Sequence, residues 1–231
     1  AHMLAHAFWP GPLTLVLPVR SSAGVSKLAL AGANTIAVRV PHAPIAQKLL
    51  MATGRPIAAP SANPSGKISP TTAVHVLRGL GGRIAAIIDG GPCPVGLEST
   101  VISTGTPPAL LRHGGLAKEK IEQVLGSALV VPNDGDGAAS PGRELSHYAP
   151  EATLRMDAKS SRNGEVMLGF GDIDGDENLS REGDLTEAAA NLFRLLHALD
   201  GLGRPIAVAP VPQKGLGLAI NDRLRRASGP R

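Results

Sequence analysis

The stretch PIAAPSANPSGKISPTT (residues 56–72) combines three prolines, three serines, an asparagine and a glycine within eleven residues. Proline fixes its own backbone and pushes the residue before it away from helix, so this loop is held stiffly. Ser69 is followed by a proline, which is the usual pattern of a helix N-cap and the first helical position. The stretch therefore predicts a rigid polar loop that presents Ser61 and Asn63 and runs into a helix over residues 69–82.

Hydroxyl groups, an amide and a helix N-terminus form a surface suited to an anion, since the helix end carries unpaired N–H groups and partial positive charge. The functional interpretation of the loop is a phosphate or carboxylate site. The alternative is an ordinary N-cap with polar turn residues and no ligand.

Elsewhere the chain alternates apolar runs with helical patterns, which indicates an α/β fold. Strands are predicted at residues 11–19, 34–40, 83–91, 99–103, 108–112, 165–170 and 205–210, and helices at 42–54, 69–82, 116–126, 185–199 and 217–227. Gly, Asp and Pro dominate residues 131–150, which predicts a linker or mobile loop. The two strand–helix units beyond it predict a small parallel α/β domain. We therefore expect domains at 1–126 and 151–231, joined by a linker or lid at 127–150.

Composition limits the function classes. Apolar residues make up 43% and charged residues 18% of the 231, which suits a packed core. The net charge of +4 permits nucleic-acid contact, but aromatics are only 2%, which disfavours a base-stacking surface. The single cysteine excludes an internal disulfide and a cysteine-based zinc site, and the histidines lack paired metal spacing, so no metal site is predicted. No apolar run reaches the ~18 residues of a membrane span, and we expect a cytoplasmic protein.

Three further places carry candidate chemistry. Arg39 ends an apolar strand, where a charge needs a partner or a ligand; arginine binds carboxylate or phosphate bidentately, and the alternative is a structural ion pair. Arg112, in LLRHGG, ends a predicted strand and can hold a phosphate. SPGRELSHYAP (residues 140–150) is too specific for a plain linker. It predicts either a lid that folds over a pocket, carrying His147 and Tyr148, or a domain-docking segment.

Taken together, these motifs resemble one family. FWPGPLTLVL, TIAVRVP, PIAAPSANPSGKISPT, DGG…GLESTVI, LLRHGG and SPGRELSHYAP occur in the same order as in the YrdC-like threonylcarbamoyl-AMP synthases. The tail, PIAVAPVPQKGLGLAINDRLRRAS, resembles the C-terminal domain of the two-domain type. The resemblance implies a twisted mixed sheet with helices, a linker and a small Rossmann-like domain. It also implies a nucleotidyltransferase that makes threonylcarbamoyl-AMP and pyrophosphate from L-threonine, bicarbonate and ATP with Mg²⁺, for tRNA threonylcarbamoyladenosine modification.

The resemblance also assigns site residues by position. The catalytic pair is Ser61 and Asn63, half of the family's Lys/Arg/Ser/Asn nucleotide-site tetrad. The positions resembling threonine contacts are Arg39, Ala59 and Ser99. The positions resembling nucleotide contacts are Thr35, Ser61, Asn63, Ser69, Arg112, His147 and Tyr148. Two alternatives of other classes stay open: a module that binds double-stranded RNA or tRNA, and a protein that binds nucleotide without chemistry.

The chain departs from the family pattern in one respect. It contains neither a PTETVYGLG-like stretch nor the K-x-R half of the tetrad, so we expect the N-terminal part of the catalytic domain to be missing.

This departure predicts that the chain as printed is catalytically impaired while it keeps the family's other motifs. Incubation with ATP, L-threonine, bicarbonate and Mg²⁺ should release little pyrophosphate. Full turnover in that assay would reject the prediction.

Overall fold

The computed structural model describes residues 1–132 and 147–230. These residues form two compact units, one of residues 1–60 and 98–132 and the other of residues 61–97 and 147–230. The grouping differs from the predicted domains because residues 61–97 belong with the C-terminal residues. The predicted borders at 126 and 150 stay a prediction, and most of the predicted linker lies outside the described residues.

The first unit contains a four-stranded mixed sheet. Its strands are β1 (Leu13–Pro18), β2 (Thr35–Val38), β3 (Thr100–Ser103) and β4 (Ala109–Arg112), in the order β2-β1-β3-β4. β1 pairs antiparallel with β2 and parallel with β3, and β4 pairs antiparallel with β3. These strands lie within the predicted ones, and the mixed sheet expected from the family resemblance is confirmed.

Short helices accompany this sheet: α1 (His2–Phe8), α2 (Lys27–Leu30), α3 (Pro44–Thr53) and α5 (Lys118–Leu125), with a 3₁₀ turn at Ser21–Ala23. The core of the unit is aliphatic and comprises Leu4, Leu13, Leu15, Ile102, Leu110, Ile121 and Leu129. α3 begins at a proline and ends at Gly54, whose φ of 64° is left-handed, as the sequence predicts. No helix in the described part of the chain has the length and apolar character needed to cross a membrane.

The second unit contains a four-stranded parallel sheet. Its strands are β5 (Leu154–Arg155), β6 (Val166–Gly169), β7 (Glu177–Asn178) and β8 (Ile206–Val208), in the order β5-β8-β6-β7. The unit also contains α4 (Ala73–Leu80), α6 (Leu185–Asp200) and α7 (Leu216–Ala227). The predicted small parallel α/β domain is therefore confirmed.

α6 organises the core of the second unit. Asp184 caps it, because its carboxylate accepts hydrogen bonds from the amides of Thr186 and Glu187, both at 2.7 Å. Its buried face includes Leu192 and Phe193. An apolar face repeated at helical spacing is the pattern from which the sequence predicts this helix.

The predicted start of the helix after the proline-rich loop is wrong. α4 begins at Ala73 and not at Ser69, and its N-cap is Thr72, whose hydroxyl accepts a 3.3 Å hydrogen bond from the amide of His75. Ser69 is buried, and its carbonyl oxygen is hydrogen-bonded to His197 on α6. The main chain at Ser69 is therefore engaged by a distant residue and does not open the helix.

The predicted strand at residues 83–91 is also absent from the structure. Ile84 and Ile88 of this run are exposed. A strand needs a neighbour to receive its backbone hydrogen bonds, and no other strand of the described residues pairs with this run. Apolar composition alone therefore does not produce a strand here.

Candidate functional site

Three predicted site residues lie at one edge of the mixed sheet. Arg39 directly follows β2, Ser99 directly precedes β3, and Arg112 ends β4. Because β1 and β3 run opposite to β2 and β4, the ends of β2 and β4 meet the starts of β1 and β3 at the same edge. The topology thus gathers residues that are far apart in the sequence.

Arg112 and Ser99 are in direct contact. The Arg112 Nε and Nη2 atoms donate hydrogen bonds to the Ser99 carbonyl oxygen at 3.2 and 2.9 Å, and Nη2 lies 3.3 Å from Ser99 Oγ. The Ser99 hydroxyl also lies 2.6 Å from the Thr14 hydroxyl. Ser99 is buried. The hydroxyl predicted to contact threonine and the guanidinium predicted to contact nucleotide are therefore held as one cluster.

The surroundings of Arg39 differ from those predicted. The sequence predicts Arg39 at the end of a strand over residues 34–40, but β2 ends at Val38 and Arg39 is exposed. Burial of part of the side chain lowers its pKa, yet arginine stays protonated in proteins. Within residues 1–132 and 147–230 it has no hydrogen bond or ion pair, so its charge is available to a carboxylate.

Two other residues predicted in the first unit lie elsewhere. Thr35 begins β2 and pairs with Pro18, so it lies at the opposite end of the strand, roughly 13 Å from Arg39 at the usual rise per residue. Ala59 lies in the exposed irregular segment after α3. The structure therefore brings Arg39, Ser99 and Arg112 to one edge and leaves Thr35 apart.

The glycines of LLRHGG have a structural role that sequence reasoning missed. A Cβ on Gly114 would overlap the Glu98 carbonyl oxygen and the Ser99 backbone. The next amide, of Gly115, donates a 2.8 Å hydrogen bond to the Glu98 carbonyl oxygen. The paired glycines let this loop lie against the start of β3, where Ser99 is held. The adjacent glycines Gly114 and Gly115 are the sequence signal that could have indicated this close packing.

In the second unit, Asn63 closes the proline-rich loop. Its Nδ2 donates to the carbonyl oxygens of Pro64 at 2.8 Å and Lys67 at 3.1 Å. Both amide hydrogens are therefore used, and the side-chain orientation is fixed because carbonyl oxygens can only accept. Asn63 Oδ1 is buried and finds no donor among the described residues. Ser61 is exposed at the start of the same loop, whereas Ser69 is buried at its end.

His147 and Tyr148 pack into the second unit. Their rings lie 4.1 Å apart in an edge-on arrangement, and the Tyr148 ring lies 5.5 Å from that of Phe193. The guanidinium carbon of Arg223 lies 5.0 Å from the Tyr148 ring centre. Tyr148 is only 1% exposed. Tyr148 is therefore part of the core of the second unit. Most of the segment predicted as a lid or a domain-docking segment lies outside the described residues, so both roles stay predictions.

Two family models match the chain. One, described as telomere recombination, matches residues 1–114, and the other, described as the C-terminal domain of threonylcarbamoyl-AMP synthase, matches residues 116–229. The threonylcarbamoyl-AMP synthase of Pyrococcus abyssi is 44% identical over 99% of this chain and 74% of its own length. The chain belongs to the threonylcarbamoyl-AMP synthase family. The family's enzymes are of the nucleotidyltransferase type, and they act in tRNA modification.

Further relatives agree with this family assignment. The Bacillus subtilis threonylcarbamoyl-AMP synthase is 39% identical over 100% of this chain and 73% of its own length. The crystal structure of P. abyssi Sua5 complexed with L-threonine superposes with a TM-score of 0.86 at 42% identity, covering 98% of this chain and 73% of that chain. A structure of P. abyssi Sua5 with an adjacent histidine and tyrosine both changed to alanine gives a TM-score of 0.85.

The packing of Gly114 in this family member generates a stability prediction. Gly114→Ala should lower the free energy of unfolding by roughly 1–3 kcal/mol, because the added methyl overlaps the backbone at Ser99. Gly105→Ala is the matched control, since a Cβ there meets nothing closer than 3.7 Å. Urea unfolding of both variants measures the difference, and equal loss in both would contradict the packing argument.

Proposed function

We propose that this chain carries the threonine- and nucleotide-binding residues of an L-threonylcarbamoyladenylate synthase. The observation that carries the proposal is the 44% identity to the P. abyssi threonylcarbamoyl-AMP synthase over nearly the whole chain. The cluster of Arg39, Ser99 and Arg112 at one sheet edge supports it, because these side chains include two guanidinium groups and a hydroxyl suited to an amino acid and a phosphate.

In this proposal, Arg39 binds the carboxylate of L-threonine. Its guanidinium is exposed beside the edge that holds Ser99, and a carboxylate can accept two parallel hydrogen bonds from it. Ser99 and the backbone at Ala59 complete the predicted threonine contacts. The relative crystallised with L-threonine supports this substrate for the family fold.

The predicted nucleotide contacts are proposed for ATP. Arg112 would neutralise phosphate charge, and Ser61 would donate from its hydroxyl. Asn63 has already used both amide hydrogens, so Oδ1 would accept a hydrogen bond from a ribose hydroxyl, an amino group or a cationic side chain rather than bind phosphate. Ser69, Thr35, His147 and Tyr148 remain predicted nucleotide contacts.

The proposed reaction combines the three substrates in two steps. The threonine amine adds to bicarbonate with loss of water and forms a carbamate. A carbamate oxygen then attacks the α-phosphorus of ATP, the bond to the bridging oxygen breaks, and pyrophosphate leaves. Positioning and charge stabilisation provide the catalysis. No group of three or more metal-ligating side chains occurs in residues 1–132 and 147–230, so Mg²⁺ would enter as the MgATP substrate.

The proposal includes the cellular context implied by this product. Threonylcarbamoyl-AMP is an activated intermediate, so a transferase acting on tRNA must consume it. The single cysteine and the absence of a long apolar span in the sequence support the predicted cytoplasmic location.

A second candidate function is binding to tRNA or double-stranded RNA, and a charge asymmetry favours it. No Asp or Glu occurs before Asp89, whereas the same stretch contains Arg20, Lys27, Arg39, Lys48, Arg55, Lys67, Arg78 and Arg83. Such a basic segment is suited to a phosphate backbone.

We predict that Arg39→Ala weakens binding of L-threonine by roughly tenfold or more and changes ATP binding far less. A charge-assisted hydrogen bond contributes about 1.5–3 kcal/mol, and Arg39 is assigned to the carboxylate alone. Titration calorimetry with each ligand measures both affinities. Arg20→Ala is the control, because Arg20 is exposed just beyond the opposite end of β1.

Equal losses for both ligands would reject the assignment of Arg39. Wild-type binding of ATP without L-threonine would instead favour a protein that binds nucleotide without chemistry.

For the second candidate, fluorescence anisotropy with labelled tRNA should show an affinity that falls steeply between about 50 and 200 mM salt. RNA binding with neither ATP nor L-threonine binding would favour the RNA-binding module over the synthase. An affinity independent of salt would contradict binding through the basic segment.

A further inference from the structure

The base of the Ser61–Asn63 loop is fastened to α6 by a histidine. His197 Nε2 lies 3.2 Å from the Ser69 carbonyl oxygen. A carbonyl oxygen can only accept, so Nε2 carries the proton and donates. Ser69 is buried, so this bond is made away from bulk water. A side chain 128 residues away along the chain thus holds the main chain where the loop ends.

A second histidine, His75, also holds this part of the main chain, and we call the stacked rings of His75 and His197 the clamp. The His75 ring lies against the His197 ring, with centroids 3.9 Å apart and planes inclined by 30°. The Thr71 amide donates a 3.3 Å hydrogen bond to His75 Nδ1. An amide can only donate, so Nδ1 must be unprotonated. The two stacked rings therefore hold the carbonyl of Ser69 and the amide of Thr71, on either side of a proline.

Core packing and hydrogen bonds connect the clamp to Ser61 and Asn63 at the start of the loop. Ile68, next to Ser69, is buried in the core of the second unit. Asn63 bridges to the Lys67 carbonyl oxygen, and the Lys67 amide donates to the Pro64 carbonyl oxygen at 3.2 Å. Residues 63–67 thus form one closed turn. A shift at Ser69 would move this turn, and with it the side chains of the proposed nucleotide site.

The arrangement disfavours charge on either ring. His75 is the third residue of α4, where the positive end of the helix opposes a cation. Burial, then His197 and Arg78, lowers the pKa of His75 to about 4. Burial also lowers the pKa of His197, and Arg78 lowers it further. The hydrogen bond to the Ser69 carbonyl oxygen and the charge of Asp200 raise it. Arg78 on α4 and Asp200 on α6 are the charged groups that act on the pair.

The pH dependence follows from these directions. A free imidazole has a pKa near 6.5, so below about pH 6.5 a detached ring takes up a proton that the clamped ring resists. The clamp contributes fully above about pH 6.5, and its contribution declines as the pH falls toward about 4.

We propose that His75 and His197 are positioning residues that hold the Ser61–Asn63 loop for the nucleotide, and that they do so fully only while His75 Nδ1 is unprotonated. The inference rests on the proposed function for the role of the loop. The clamp itself rests on the two hydrogen bonds and the ring stack.

The test uses His197→Ala and His197→Gln in the full chain. We expect His197→Ala to weaken ATP binding about three- to tenfold near neutral pH, the effect of one lost hydrogen bond. His197→Gln keeps an N–H group close to the position of Nε2, so it should restore most of the affinity. Calorimetry measures both variants, and circular dichroism checks that each one folds.

The pH profile separates positioning from a general loss of stability. Wild-type ATP affinity should fall more steeply between about pH 7 and pH 5 than that of a His75→Asn/His197→Gln double variant, which has no imidazole in the clamp. His42→Gln is the matched control, because His42 is exposed in the first unit and should follow the wild type. Parallel profiles for the wild type and the double variant would reject the requirement for an unprotonated His75.

Amide hydrogen exchange across residues 61–71 gives a readout without nucleotide. We expect faster exchange in His197→Ala than in the wild type. Unchanged exchange and unchanged ATP affinity in that variant would overturn the positioning role. A wild-type chain that binds no ATP would reject the proposed function instead, and the exchange data would still decide whether the histidines hold the loop.

Discussion

The parallel pairing of β1 with β3 is the constraint on which the first unit depends. It joins Leu13 to Thr100 across most of the unit's length, and the intervening chain must leave and return to make it. β2 pairs antiparallel with β1, and β4 pairs antiparallel with β3. The residue after β2, the residue before β3 and the last residue of β4 therefore lie at one edge of the sheet. Arg39, Ser99 and Arg112 lie at the same edge for this reason, although no local sequence rule connects them.

The sequence predicts elements well where local pattern and tertiary packing agree. α3 begins at a proline and is followed by a left-handed glycine, and α6 has an apolar face at helical spacing, so both were predicted closely. The prediction failed at Ser69, whose carbonyl oxygen is hydrogen-bonded to His197, and Thr72 caps the helix instead. It failed at residues 83–91 because an apolar run cannot form a strand without a neighbouring one.

The candidate site could likewise be predicted from the sequence only in part. Motif order identified the family, and the sheet places three of the predicted site residues at one edge. The sequence could not show that Arg112 contacts Ser99, that Thr14 shares the cluster or that Thr35 lies at the far end of its strand, because these facts depend on register. The sequence also could not show that the Tyr148 ring is buried beside Phe193 and Arg223, because this depends on tertiary packing.

The Asn63 amide limits what the proline-rich loop can recognise. A loop of serines and an asparagine resembles an anion site when only residue types are considered. Both Nδ2 hydrogens, however, are committed to carbonyl oxygens of the same loop, which leaves only the Oδ1 acceptor. An unprotonated phosphate offers acceptors alone, so it gains nothing from this atom. A hydroxyl, an amino group or a lysine or arginine side chain would satisfy it. The Asn63 side chain is therefore matched to a hydrogen-bond donor and not to a phosphate.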